Sequence, residues 1–191
     1  MVIIMTLNEL YDILLIDKPS VNLKKRENEL FSLIPELEKC KEFNQNSEWH
    51  VYDVYEHILH VVDNVSSNFV LRLAALFHDV GKPYSYTEDE NGFGHFYGHW
   101  EVSQKIFDEF SNKYNIDINI CDKVSNLIYY HDINISKLDD IQLNEILNVF
   151  DKEGIIQLFE LKKADLLAQN KKFNYILEEY DNQKKKLLKL Y

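Results

Sequence analysis

Glycine and proline are scarce in this chain, at 5 and 3 residues of 191. Such a sequence lacks the turns that an all-β fold needs. Cysteine is scarcer still: Cys40 and Cys121 have no ligand-like spacing and build no disulfide framework, which suits a reducing cytosol. No run approaches the roughly 18 apolar residues of a membrane span. The opening MVIIM is too short for the core of a secretion signal and is followed closely by Asn8 and Glu9, so a cytoplasmic protein is expected. Positive charge is also in deficit. Lys and Arg number 21 against 32 Asp and Glu, a net charge of −11 with a pI of about 5.1. The basic runs, Lys24–Arg26 and Lys184–Lys186, are short, so the overall field opposes binding of long nucleic acid. A small phosphorylated molecule held by a metal stays compatible with that charge.

What is present is a sizeable core: 46% of residues are hydrophobic and 28% charged, the profile of one soluble globular domain spanning 1–191. Its most apolar stretch is NFVLRLAALFHDVGKP, Asn68 to Pro83. From Phe69 to Phe77 only Arg72 is polar, which predicts a helix buried on every side, with Arg72 holding a buried acid or reaching the surface. Gly81 and Pro83 predict a helix stop near Val80. His78 and Asp79 come just before that stop and need partners, since buried polar groups are costly without them. A metal ion would satisfy both; so would a structural hydrogen-bonded pair.

Residues 5–16 and 22–43 read as amphipathic helices covering the core, with Pro35 opening a second segment of the latter. In WHVYDVYEHILHVVDNV, the residues Val51, Val54, Ile58, Val61 and Val65 mark one helical face. His57 lies on the edge of that face and His60 on the opposite side. Tyr84–Gly98 alternates aromatic and polar residues about Asn91–Gly92, a hairpin signal for a small flap carrying His95. His99 heads the apolar stripe Val102, Ile106, Phe107, Phe110, Tyr114. His131 extends the stripe Ile120, Val124, Leu127, Ile128, and Asp165 is an acid on the face of Leu158, Leu161 and Ala168. A last amphipathic helix covers 171–190.

Five helices thus each bring an inward histidine or carboxylate: His57, His78–Asp79, His99, His131 and Asp165. Four inward histidines with two carboxylates point to a divalent metal. Imidazole-rich sets favour Fe, Mn, Ni, Co or Zn over Mg.

LRLAALFHDVGKP, with His57 before it and Asp165 after it, resembles the signature of the HD-domain superfamily of metal-dependent phosphohydrolases. DVYEHILHVVD, GHFYGHWEVSQKI and ELKKADLLAQN are similar to the HD domain of bacterial tRNA nucleotidyltransferases and poly(A)-polymerase-like proteins, over about residues 31–172. This chain would be a free-standing relative, without the nucleotidyltransferase domain.

The resemblance implies an all-α bundle of about seven to nine helices with a small β-hairpin flap. Helices before residue 43 would cover a metal-binding core at about 49–170. It implies that His57, His78, Asp79 and Asp165 hold one ion. His99 and His131 match positions used for a second, with Asp79 as bridge; two ions are favoured over one. A Gly-Tyr-Pro extension and an acidic pair after the His-Asp are both absent, which disfavours the cyclic-di-nucleotide and alarmone branches. The expected reaction is hydrolysis of a phosphomonoester or (cyclic) phosphodiester of a nucleotide or similar small molecule, with Asp79 and Lys82 in catalysis. Lys82, His50 and His95 are candidates to contact substrate. Lys82 also reads as a solvated helix-end lysine, and His50 and Asp53 as supporting groups or a general acid, with helix capping the alternative for Asp53. The rival reading is a nucleotide-sensing or RNA-processing partner module that keeps the metal but turns over little. The sequence leaves the oligomeric state open.

Overall fold

The computed structural model describes residues 5–191, so most of the MVIIM stretch lies outside the described residues. The N-terminal segment forms four short helices: α1 (Leu7–Leu15), α2 (Pro19–Lys25), α3 (Glu27–Leu33) and α4 (Pro35–Cys40). Two were expected, the second divided at Pro35, and with the further subdivision the described residues exceed the seven to nine helices anticipated. Proline explains two of the three breaks. Pro19 and Pro35 stand at the first position of α2 and α4, where a missing N–H costs nothing. Thr6 starts α1 with a reciprocal cap: its hydroxyl accepts from the Glu9 amide while Glu9 accepts from the Thr6 amide.

Helix α5 (Val54–Asn64) begins where the Asp53 carboxylate accepts from the Glu56 amide, 2.7 Å away. The capping role weighed for Asp53 is therefore the one it has. Val51 precedes the helix and is exposed, so it does not belong to the α5 face. Helix α6 (Phe69–Phe77) is capped by Asn68 and is buried continuously from Leu71 to Phe77. It packs against α1 and α5, and against three later helices: α8 (His99–Tyr114), α9 (Ile118–Tyr130) and α11 (Lys152–Leu167).

One expectation for the end of α6 is corrected. Gly81 is not a left-handed stop, since its φ is −78°. It is a contact: a Cβ there would overlap the His99 carbonyl oxygen and lie 2.7 Å from the Ser103 amide nitrogen. The helix does stop before Pro83, at Phe77, three residues short of Val80, and Pro83 falls in the first turn of the short α7 (Lys82–Ser85). Arg72 meets neither an acid nor the surface. Its guanidinium donates to the carbonyls of Leu14, Ile16, Val65 and Ser66 at 2.7–3.2 Å.

The flap is the antiparallel pair β1 (Thr87–Glu88) and β2 (Gly94–His95), closed by a turn in which Asp89 accepts from the amides of Asn91 and Phe93. Gly94 N–H donates to the Asn46 carbonyl and Asn46 donates to the Tyr86 hydroxyl, so the flap is pinned to the 44–47 loop. After α9 come α10 (Asp140–Val149), α11, and α12 (Ile176–Leu188) packed along α11. The fold is all-α apart from this flap. No helix among the described residues is long and apolar enough to cross a membrane.

Candidate metal centre

Asp79 sits in the turn after α6 and is 1% exposed. Around its carboxylate stand the Nε2 atoms of four histidines. His57 and His78 approach Oδ2 at 3.2 and 3.3 Å; His99 and His131 approach Oδ1 at 3.2 and 3.7 Å. All four rings are buried. Among the described residues these form two possible ligand trios, His57–His78–Asp79 and Asp79–His99–His131, sharing Asp79. Asp165 meets the first trio at His57, its Oδ1 3.0 Å from Nε2, and accepts from the Gln169 amide at 3.0 Å.

The other ring nitrogen of each histidine explains the convergence. His78, His99 and His131 each place Nδ1 2.6–2.9 Å from the carbonyl oxygen three residues earlier, on Ala75, Phe96 and Ile128. His57 places Nδ1 more loosely, 3.5 Å from the Ala168 carbonyl at the end of α11. A ring nitrogen facing a carbonyl oxygen carries the proton. In the neutral rings Nε2 is then a bare lone pair, and two such atoms face each other at 3.4 Å (His57, His78) and at 3.3 Å (His99, His131). Neither oxygen of Asp79 has a hydrogen bond of acceptable angle among the described residues. Lone pairs aimed at one another, with a buried carboxylate between them, fit divalent cations. Backbone carbonyls behind the rings fix the tautomer that metal ligation needs.

Electrostatics agree. Burial pushes the Asp79 carboxyl up, but His78 and Lys82 beside it outweigh that and hold it well below the usual range. Burial likewise pushes the His57 imidazolium down. The Asp165 and Asp79 carboxylates, 3.0 and 3.2 Å from Nε2, outweigh that and lift it to about 9. A divalent cation held here would compete with a proton for His57 Nε2.

The remaining candidates are distributed around a cavity of about 420 Å³ that opens onto Asp79, His99, His131 and Asp165. Lys82 borders it but is not a solvated lysine: it is 5% exposed, with Nζ 2.6 Å from Asp79 Oδ2 and donating to Gln45 Oε1 at 2.9 Å. His50 borders the cavity with Nδ1 buried and unpartnered among the described residues. Burial, then the Lys82 charge, pushes its imidazolium down to about 2, so His50 is neutral. His95 reaches the cavity from the flap and pairs with Asp89 at 3.2 Å. Of the flap aromatics, Phe96 and Tyr97 line the cavity, while Tyr86 packs edge-on against Phe43.

Three contributors escaped the sequence reading. Lys162 is buried and donates to the carbonyls of His131 and Ile133 at 2.6 and 2.9 Å, capping the end of α9. Its signal was available: it lies four residues after Leu158 and three before Asp165, on the inward stripe of α11. Gln45 and Gln183 had no such signal, being amides in polar surroundings.

A helical bundle with a buried centre of four imidazoles and shared carboxylate defines a metal-binding helical protein. The family model described as the HD domain matches residues 49–170, and the chain belongs to the HD-domain family. A comparison with curated proteins found no match.

Proposed function

We propose that the chain is a metal-dependent phosphohydrolase of the cytoplasm, acting on a phosphomonoester or (cyclic) phosphodiester of a nucleotide or similar small molecule. The observation that carries this reading is the Asp79 carboxylate shared by two His pairs whose Nε2 lone pairs face one another. We assign one ion to His57, His78, Asp79 and Asp165, and a second to Asp79, His99 and His131, with Fe, Mn, Ni, Co or Zn ahead of Mg. Bound divalent cations supply Lewis acidity, which acidifies water and offsets charge on a phosphoryl group.

The chain's own residues arrange the rest. Carbonyls behind each ring hold the four imidazoles at fixed angles around Asp79. Lys82 neutralises part of the Asp79 charge and presents its ammonium at the cavity floor. His50, neutral and unpartnered at Nδ1, is free to hydrogen-bond the substrate, and His95 closes over it from the flap. Phe96 and Tyr97 line the same side.

The net charge of −11 supports a small substrate over a long polyanion, whose binding requires many Lys and Arg contacts. The likeness of DVYEHILHVVD and ELKKADLLAQN to the HD domain of tRNA nucleotidyltransferases supports a nucleotide or an RNA end. The test is metal analysis of the purified protein followed by a panel of phosphatase and phosphodiesterase substrates. Metal-dependent release of phosphate or opening of a cyclic nucleotide is expected. Stoichiometric binding of the same nucleotides without turnover would instead select the sensing module.

A further inference from the structure

Helix α12 lies outside the stretch that the family model matches, yet Ile176, Glu179, Tyr180 and Gln183 line the cavity over the metal centre. We propose that α12 is the specificity element of the site: Gln183 Oε1 accepts a hydrogen bond from an N–H group of the substrate, which is a phosphate ester carrying an amino-bearing nucleobase. This rests on the nucleotide reading above and narrows it.

Gln183 is 9% exposed, and its Oε1 is shut off from solvent with no partner among the described residues. An amide oxygen left so is costly, and a ligand donor removes that cost. The orientation of the amide is set by the chain. Gln183 Nε2 donates to Glu179 Oε1 at 2.8 Å, and a carboxylate only accepts, so the nitrogen must face Glu179 and the free atom is the oxygen. The site therefore asks for a donor and disfavours a carbonyl.

Placement follows from the neighbours. Tyr180, one helical turn before Gln183 on the same face, lies beneath the Lys162 ammonium, 5.2 Å from ring centroid to Nζ. That ammonium is 2.6 Å from the carbonyl of His131. A ligand whose phosphate reaches the Asp79 centre thus extends past Lys162 and Tyr180 to Gln183. Trp49, Phe96 and Tyr97 also line the cavity, and Trp49 is held in place by a 3.5 Å stack on Phe173. Aromatic faces of this kind stack on bases. A cavity of about 420 Å³ is within the range for a small ligand.

The experiment compares amino and deaminated partners, AMP against IMP and CMP against UMP, by calorimetric Kd and by kcat/KM on the intact metal-loaded protein. Wild type is expected to favour the amino member of at least one pair by about ten- to a hundredfold, the equivalent of one buried acceptor. In Gln183→Leu the ratio is expected to fall to about one, with metal content and circular dichroism as in wild type. Should Gln183→Leu not fold, Gln183→Met keeps the length and flexibility of the side chain and carries the same test. Equal affinity for both members in wild type, or a ratio that survives the substitution, overturns the proposal. If no ester is turned over, the phosphohydrolase reading fails alone, and the Kd ratios still decide the role of Gln183.

Discussion

His99 and His131 meet with their Nε2 atoms 3.3 Å apart, while the Nδ1 proton of each is committed to a carbonyl three residues earlier in the chain. The His57–His78 pair repeats the arrangement at 3.4 Å. Such contacts are unfavourable until a cation lies between them, so ligand binding and stability are linked. Removing metal with a chelator is expected to lower Tm by about 5–10 °C, from roughly 2.7 kcal/mol lost when the metal is present at a hundred times its Kd. Adding Mn²⁺ or Zn²⁺ back should restore it. A Tm indifferent to both treatments would show that the imidazoles hold one another without metal.

Asp79 is the one carboxylate shared by both trios. Asp79→Ala is expected to strip bound metal and to lower kcat/KM by more than about a thousandfold, ~4 kcal/mol of barrier. Elemental analysis checks the first and steady-state kinetics the second. Wild-type metal content in this variant contradicts the shared-ligand assignment.

His57 is 1% exposed and faces Asp79, whereas His60 stacks on Tyr52 at 4.3 Å on the other side of α5. His57→Ala should lower metal content and activity, and His60→Ala should leave both within about twofold of wild type, as expected of a surface change. Equal losses in the two variants would mean that the metal does not lie on the His57 face.

Lys162 holds the end of α9 through the carbonyls of His131 and Ile133. Lys162→Met removes both hydrogen bonds while keeping the buried stem. It is expected to weaken the second ion, at His99 and His131, by about ten- to a hundredfold, the usual cost of losing a group that orients a ligand. The ion at His57 and His78 should remain. Titration of metal into the stripped protein separates the two sites, and parallel weakening of both would assign Lys162 to general stability.

Gly81 faces the first turn of α8, where a Cβ would overlap the His99 carbonyl oxygen. Gly81→Ala is expected to cost about 1–3 kcal/mol by overpacking and to displace His99 from Asp79. Urea denaturation gives the stability change, and an unchanged midpoint would show that α8 yields freely.

The inward histidines were legible because each ends or edges a stripe of unmixed helical period: Val54, Ile58 and Val61 around His57, or Ile120, Val124 and Leu127 leading to His131. The His78–Asp79 pair stood out against an otherwise apolar run. What stayed hidden depends on contacts between distant segments. Gly81 looked like a stop because glycine near proline usually is one, whereas its role is set by α8, eighteen residues on. Pro19 lay in the gap left between the helices read at 5–16 and 22–43, whereas it opens α2. Lys162 stands on the inward stripe of α11, but its charge reads as that of a surface residue, and the carbonyls left open by the end of α9 hold it inward.

Arg72 has a consequence for where the folding unit begins and ends. It lies within the stretch matched by the family model, yet two of its four carbonyl partners, on Leu14 and Ile16, lie well before it. Cutting the chain back to 49–170 would strand a buried cation with half its donors empty and remove the α12 wall of the cavity at the other end. The matched stretch is thus not an exchangeable module that could be lifted out or grafted elsewhere. Its borders mark where residues resemble those of relatives, while the cooperative unit reaches outward on both sides.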